Sequence, residues 1–481
     1  MLSLKEFNHL FEQLYLDLTG EKCESISPLA ESGSMRKYFR IKGTTGTFIG
    51  TYNPNLNENQ AFFAFAKSFD EMNLPVPKVL IRSVDDFSYL QSDLGNVSLF
   101  TLIQENLSEG TFSPQLKSLF KQIISHLIQF QIVAYSHLDF SKAYPAPKFS
   151  SKAIMDDLEY FRYYFLKLHP QIIYDDELLY NDFQRFTKFV SQAPSNYFMY
   201  RDFQSRNIMI YENEPYFIDF QGGRKGPLQY DLVSFIYQVK AQIPDSIREE
   251  LLSYYLLELN KQFPYQQVEF MKYYNSFIYL RLFQVLGAYG FRGLIQKKAH
   301  FIDSIPYALT TLGDFYEKNN FDGNYPELAN IIHQLGGLRA LYKSNIATNA
   351  KSLTVQINSF SYLKKGIPTD FSGNGGGFVF DCRALPNPGR EDRYKMQTGL
   401  DKDVIDFLES MIEVHHFFEH IKAISEQSIT NYSQRGFKSL IINFGCTGGQ
   451  HRSVFFAEKT FRWVKAHFPK IAVTIHHNEL Q

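Results

Sequence analysis

The sequence predicts an α+β chain in two parts: a bilobal domain, sheet first and helices after, and a smaller α/β domain behind it. Three observations predict it. Strand-like runs crowd the region before Gly95, and helical periodicity dominates after Ser113. The polar stretch Tyr200–Asp219 then interrupts the helices with a loop and a short hairpin. Beyond the polar, unpatterned run Lys343–Lys351, Leu353, Val355 and Ile357 alternate with polar residues as a new strand does. At 481 residues the chain has room for two or three domains.

Bulk composition excludes several classes. The 44% hydrophobic and 21% charged residues are ordinary for a globular protein. Net charge is −1, so no general attraction to polyanions is expected. The aromatic share, 16%, reads as core and pocket lining because basic residues are not massed around it. Cys23, Cys382 and Cys446 are too scattered for a disulfide framework or a zinc site, which fits a reducing compartment. The first residues lack a basic-then-apolar leader pattern, and no apolar run reaches membrane-spanning length. The cytoplasm is the expected location, with no membrane partner.

Residues 1–20 place Leu4, Phe7, Leu10, Phe11, Leu14 and Leu18 on one helical face. Ser32-Gly33-Ser34-Met35-Arg36-Lys37 is a small-residue turn before the strand Tyr38–Ile41. Such a turn lays backbone N–H groups over phosphates or is simply a hairpin turn. Thr47–Tyr52 reads as the next strand, and Glu58 sits in the acidic first turn of a helix. Val76–Val84 and Phe87–Gln91 read as strands, and Asp93-Leu94-Gly95-Asn96 is the break expected to act as hinge. Ser113-Pro114 opens a helix, residues 153–190 continue helical, and 245–318 are helical with core Tyr and Phe. Asp156 and Asp157 read as surface helix carboxylates, the alternative being that they face a cleft and hydrogen-bond sugar hydroxyls.

The Tyr200–Asp219 stretch carries chemistry. Asp202 is followed five residues later by Asn207, then by the runs Ile208–Ile210 and Tyr216–Ile218, and then by Asp219. That layout is kinase-like. The first Asp orients an acceptor hydroxyl and takes its proton; the Asn and the second Asp supply oxygen ligands for Mg²⁺ beside the phosphates.

Residues 5–340 resemble the aminoglycoside phosphotransferase family of small-molecule kinases, and more narrowly the sugar kinases that phosphorylate N-acetylmuramate and N-acetylglucosamine in cell-wall recycling. The resemblance is carried by Ser34–Arg40, Glu58–Phe62, Leu90–Gly95, Tyr200–Asn207, Ile218–Gln221 and Gly226–Leu232. It implies a bilobal protein-kinase-like fold, ATP and Mg²⁺ as cofactors, Asp202 as catalytic base, and Asn207 and Asp219 on the metal. Gln91, Asp93 and Leu94 are then expected along the adenine, Ser34 near the phosphates, and Asp231 as a brace under the catalytic loop. Two departures stand out. Tyr200 replaces a His common in kinases, and the strand 47–52 has no Lys for the α- and β-phosphates. Arg36, Lys37 and Arg40 are the candidates to replace that charge.

In the second part, the strand Ile441–Gly445 runs into Cys446-Thr447-Gly448-Gly449-Gln450-His451-Arg452-Ser453 and then a helical pattern. Glycines let backbone N–H groups converge at a helix N-terminus, and an Arg grips phosphate bidentately, so the loop reads as an anion site. Its Cys-x5-Arg spacing is also that of Cys-based phosphatases. Residues 353–478 resemble the C-terminal domain of the RNase adapter protein RapZ, through Phe380–Arg383, Leu385–Pro388, Thr398–Lys402 and Gly445–Ser453. The resemblance implies a phosphosugar-sensing module, with glucosamine 6-phosphate as the family's ligand and Asp381, Cys446, Thr447, Gly448 and Arg452 as contacts; Arg383, Gly449 and Ser453 complete the expected anion-binding set. RNA binding is not favoured, because no basic tail follows Asn478. Glu413, His416 and His420 share a helical face and read as solvated residues, not metal ligands.

The expected organisation is a kinase domain at 1–342, a linker at 343–352 and a phosphosugar-binding domain at 353–481. The expected function is ATP-dependent phosphorylation of a small molecule, an amino sugar, joined to a sensor of a phosphorylated amino sugar. The alternative is a nucleotide-binding adapter that works through its second domain on RNA or a protein.

Overall fold

A computed structural model describes residues 3–29, 35–108, 112–264, 266–321, 323–346, 353–368, 370 and 377–480. The predicted turn residues 32–34, including Ser34, and most of the glycine-rich run 373–377 lie outside them. The chain divides into two compact units: Met1–Glu159 with Asp176–Gln284 and Phe321–Pro326, and Tyr160–Asp175 with Val285–Asn320 and Glu327–Gln481.

The first unit begins with the helix Leu4–Thr19. A reciprocal cap between Ser3 and Glu6 starts it, and Gly20 at φ 76° ends it in the left-handed region. Five strands follow in the antiparallel order β1-β2-β3-β5-β4: β1 Ser25–Pro28, β2 Lys37–Gly43, β3 Gly46–Tyr52, β4 Val79–Arg82 and β5 Ser88–Ser92. The helix buries Phe7, Phe11, Leu14 and Tyr15 against Phe39, Ile41 and Leu90 of that sheet. Close approach explains Gly50 in the middle of β3: a Cβ there would stand 2.7 Å from the Phe11 ring and 2.8 Å from Ile41. The helix Leu56–Glu71, capped by Asn55, closes this lobe.

Helices make up most of the rest. The expected continuous helix over 153–190 is instead two, Ser151–Tyr164 and Asp176–Val190, because His169-Pro170 falls between them and a proline cannot continue the ladder. Four short strands carry the polar stretch: β6 Tyr197–Met199 pairs with β9 Arg224–Gly226, and β7 Ile208–Tyr211 with β8 Glu214–Phe217. The β7–β8 hairpin turns on two residues, Glu212 at φ 52° and Asn213 at φ 66°, the doubly left-handed turn whose twist suits paired strands. The helix Leu228–Ile236 follows, buried along its whole length.

The second unit contains a four-stranded, all-parallel sheet of order β11-β12-β10-β13: β10 Thr354–Ser361, β11 Gly377–Asp381, β12 Ser439–Cys446 and β13 Ala472–His477. Parallel neighbours need crossovers, supplied by the helices Lys402–Glu409, Ile412–Gln434 and Arg452–His467. Val355, Ile357, Leu440, Ile442 and Phe444 form its core with Val404, Ile421 and Phe456. The sequence-drawn linker begins inside the helix Pro326–Ile346, and its residues 347–352 lie outside the described residues.

Candidate functional site

The site is built around a loop held from beneath. Asp231, fully buried, accepts from the backbone N–H of Tyr200 at 2.6 Å and of Arg201 at 2.9 Å. The Tyr200 hydroxyl donates to the carbonyl of Ile218 at 2.8 Å, tying the loop to the segment that delivers Asp219. Tyr200 therefore supports the loop from a buried position. Arg201 sits at φ 78°, a conformation non-glycine residues rarely adopt, and the two Asp231 bonds hold it there.

Around this brace the three polar residues of the sequence motif converge. Asn207 donates from one amide nitrogen to the Asp202 carbonyl at 2.9 Å and to Asp219 Oδ2 at 3.2 Å. Its amide hydrogens thus face protein acceptors, which leaves the Asn207 carbonyl oxygen as the ligand atom. Asp219, also left-handed at φ 68°, receives a 2.6 Å bond from Gln221, and Gln204 donates to Asp202 at 3.2 Å. Burial first and the Asp202 charge second push the Asp219 carboxyl above the usual aspartate range. Two carboxylates and an amide oxygen drawn together in this way suit a hard divalent cation. Among the described residues no group of three His, Cys, Asp or Glu could hold a metal, so a cation here would complete its shell from phosphate oxygens and water.

β3 has no lysine, and Arg36 brings a cation to Asp219. Arg36, 4% exposed, lies between Glu58 of the helix Leu56–Glu71 at 3.0 Å and Asp219 at 3.7 Å. Glu58 is in turn fixed by Asn53, whose amide donates to it at 3.0 Å. A cation gripped by a helix glutamate and leaning on the second Asp is the arrangement protein kinases build from a strand Lys. Glu58 entered the sequence reading as a first-turn acid and as part of a segment carrying the resemblance, with no role of its own. Arg40 goes elsewhere: it bonds Asp93 at 2.7 Å, Asn96 at 2.6 Å and the Gly95 carbonyl at 3.0 Å, clamping β2 to the hinge. Asp93 is thereby engaged with Arg40 and the Gly95 N–H, while Leu94 is buried beside them and Gln91, next to last in β5, stands opposite Ile49. Lys37 opens β2 opposite Tyr52.

The adjacent acids on the helix Ser151–Tyr164 part company. Asp156 pairs with Lys152 at 2.6 Å on the exposed side, as expected. Asp157 does not face solvent: it is buried and holds Arg201 through two bonds of 3.0 and 2.8 Å. Arg201 also lies over the rings of Phe149 and Tyr230.

In the second unit, β12 ends at Cys446 and the loop turns through Gly449, at φ 69°, into the helix Arg452–His467. Thr447 and Gly448 are exposed at the turn. The Cys446 thiol lies 3.1 Å from the Ser453 hydroxyl, both buried. Asp381 binds Arg383 through bonds of 2.6 to 3.0 Å, and the Arg383 guanidinium covers the Tyr362 ring. Arg452 is buried and donates from Nη1 to the carbonyls of Arg383 and Leu385 at 2.9 and 2.8 Å. It joins the β11 end to the loop and so brings Asp381, Arg383 and the 446–453 loop to one edge, the carboxyl ends of parallel strands. His416, His420 and Glu413 are exposed on the helix Ile412–Gln434.

A model of the RapZ C-terminal domain matches residues 353–481. A nucleotide-binding protein of Glaesserella parasuis is 41% identical over 126 residues, 26% of this chain and 42% of that protein. One of Ralstonia nicotianae is 38% identical over 143 residues, 30% of this chain and 45% of that protein. The chain spans less than half the length of these relatives. Among solved structures, a Plasmodium vivax ethanolamine kinase is similar at TM-score 0.46 and 13% identity, covering 66% of this chain and 90% of that one. A spectinomycin phosphotransferase is similar at TM-score 0.42 and 12% identity, covering 68% and 97%. The model of the phosphotransferase enzyme family matches residues 25–270, just over half of the chain. The chain belongs to the phosphotransferase enzyme family, and it joins that domain to a RapZ C-terminal domain.

Proposed function

We propose that the chain transfers the γ-phosphoryl group of ATP to a hydroxyl of an amino sugar, in a Mg²⁺-dependent reaction, and that its RapZ-type domain binds a phosphorylated amino sugar. The observation that carries the reading is the convergence of Asp202, Asn207 and Asp219, locked by the two Asn207 bonds. Asp202 orients the acceptor hydroxyl and takes its proton as the oxygen attacks phosphorus; the γ-phosphoryl bond to the leaving ADP breaks in the same displacement. Asn207 and Asp219 would hold Mg²⁺, which would offset the charge of the phosphates. Arg36 adds fixed positive charge next to Asp219, and Asp231 and Tyr200 keep the loop in register. The test is ADP release by the purified chain against N-acetylmuramate, N-acetylglucosamine, glucosamine and an aminoglycoside, with and without chelator. Sugar-dependent, chelator-sensitive release supports the reading. Nucleotide binding without release points to the adapter alternative.

Arg36→Met lowers kcat/KM for ATP by about 100-fold, because a fixed phosphate-facing charge is lost, and Arg36→Lys recovers part of it. Equal kinetics for the parent and Arg36→Met would contradict the assignment of Arg36 to the phosphates.

For the second unit, titration of glucosamine 6-phosphate into the full chain yields a saturable heat. Thr447→Val weakens the affinity about tenfold by removing a donor at an exposed turn. Unchanged affinity in that variant would move the ligand away from the 446–453 loop.

A further inference from the structure

The roles above leave unused one buried cation that lies on the turn after Asp219 and within the electrostatic reach of Asp202. Arg224 opens β9 and is 8% exposed. Its Nε donates to the Gly222 carbonyl at 3.0 Å, so the guanidinium folds back over the turn that follows Asp219. That turn is fixed: Gly223 N–H donates to the Phe220 carbonyl at 2.9 Å, and a Cβ on Gly223 would collide with the Phe198 ring. The two terminal nitrogens of Arg224 have no hydrogen-bond partner, and no carboxylate stands within ion-pair distance, among the described residues. Those nitrogens are also not among the unpartnered polar atoms sealed from solvent, so a ligand can reach them.

After burial, the groups acting on Arg224 are, in falling order, Arg201, the Tyr230 phenol, Asp157 and Asp202. Arg201 is already neutralised by its bidentate bridge to Asp157. Burial first, and the Arg201 charge after it, disfavour the Arg224 cation. Guanidinium does not escape such a penalty by losing its proton; it needs an anion.

We propose that Arg224 is the acceptor-specificity residue and that the acceptor carries a carboxylate, bound by the two terminal nitrogens of Arg224 while its hydroxyl faces Asp202. This rests on the reading of Asp202 as the base for an acceptor hydroxyl. A monoanion fits better than a phosphate ester: one uncompensated guanidinium balances one charge, and the Asp202 carboxylate repels a second. The planar fork of the guanidinium matches a carboxylate edge through two parallel bonds.

N-Acetylmuramate and N-acetylglucosamine make a matched pair, since the first is the second with a lactic acid ether added. The experiment measures kcat/KM for both with the parent chain, Arg224→Met and Arg224→Lys. The parent prefers the acid-bearing sugar by about 10- to 100-fold, the range of a charge-assisted bond. Arg224→Met removes most of that preference, acting chiefly on the acid-bearing sugar, and Arg224→Lys restores part. A parent without preference, or an Arg224→Met loss equal for both sugars, overturns the subsite and leaves the kinase reading standing. Turnover of neither sugar by the parent instead removes the kinase reading. Calorimetry then decides the subsite: tighter binding of the acid-bearing sugar, lost in Arg224→Met, upholds it, and equal affinities overturn it.

Discussion

Asp202→Asn lowers kcat for phosphoryl transfer by about 1,000-fold while nucleotide affinity stays near that of the parent. The amide keeps the size of the side chain and the 3.2 Å contact with Gln204, so the loop geometry persists. What disappears is the negative oxygen that takes the proton. Nucleotide affinity is spared because the groups assigned to the phosphates and metal, Arg36, Asn207 and Asp219, are untouched. Steady-state kinetics beside nucleotide titration separate the two effects. A variant that retains more than about a tenth of parental turnover excludes Asp202 as the base.

Asp231→Ala destabilises the first unit by about 2–5 kcal/mol and abolishes transfer, because the backbone N–H groups of Tyr200 and Arg201 are left buried without an acceptor. Denaturant unfolding measures the first effect. A loss below about 1 kcal/mol would mean that another group satisfies them. Burial also pushes the Asp231 carboxyl up to about 7. The folded state therefore binds this proton more tightly than the unfolded chain does. The sign follows: the contribution is complete below about pH 4, the range of an unperturbed aspartate, and declines as pH rises toward 7. Asp231→Asn cannot titrate, so its stability changes less with pH across that window than the parent's. Parallel pH slopes for the two chains would contradict the shift.

The convergence of Asp202, Asn207 and Asp219 was legible because it is local. Its spacing is set by one loop and one two-residue hairpin, and Asp231, expected as a brace, bonds the loop backbone as such a brace does. What could not be read depends on which long side chain reaches which partner. Arg36, Lys37 and Arg40 stood as candidates for the missing charge, yet Arg36 reaches Glu58 and Asp219 while Arg40 reaches Asp93. Asp157 read together with Asp156 as a surface carboxylate or a sugar ligand, and it instead holds Arg201. A signal was present: Ile154, Leu158 and Phe161 are buried at helical spacing, and Asp157 lies in that stripe. Arg383 and Arg452 were both expected to face an anion. A motif places donors in a loop but does not say that Asp381 and two backbone carbonyls already hold them. Arg224 carried no sequence signal, since its significance lies in the partners it lacks.

The central claim is transfer to a sugar, as opposed to nucleotide binding or hydrolysis. Mass spectrometry of the acceptor after incubation with ATP and Mg²⁺ tests it most directly, with ADP quantified in the same sample. The account predicts a monophosphorylated sugar in equal amount to the ADP formed, and neither product with Asp202→Asn. ADP accompanied by free phosphate and unmodified sugar, or product formation that survives in Asp202→Asn, would contradict it.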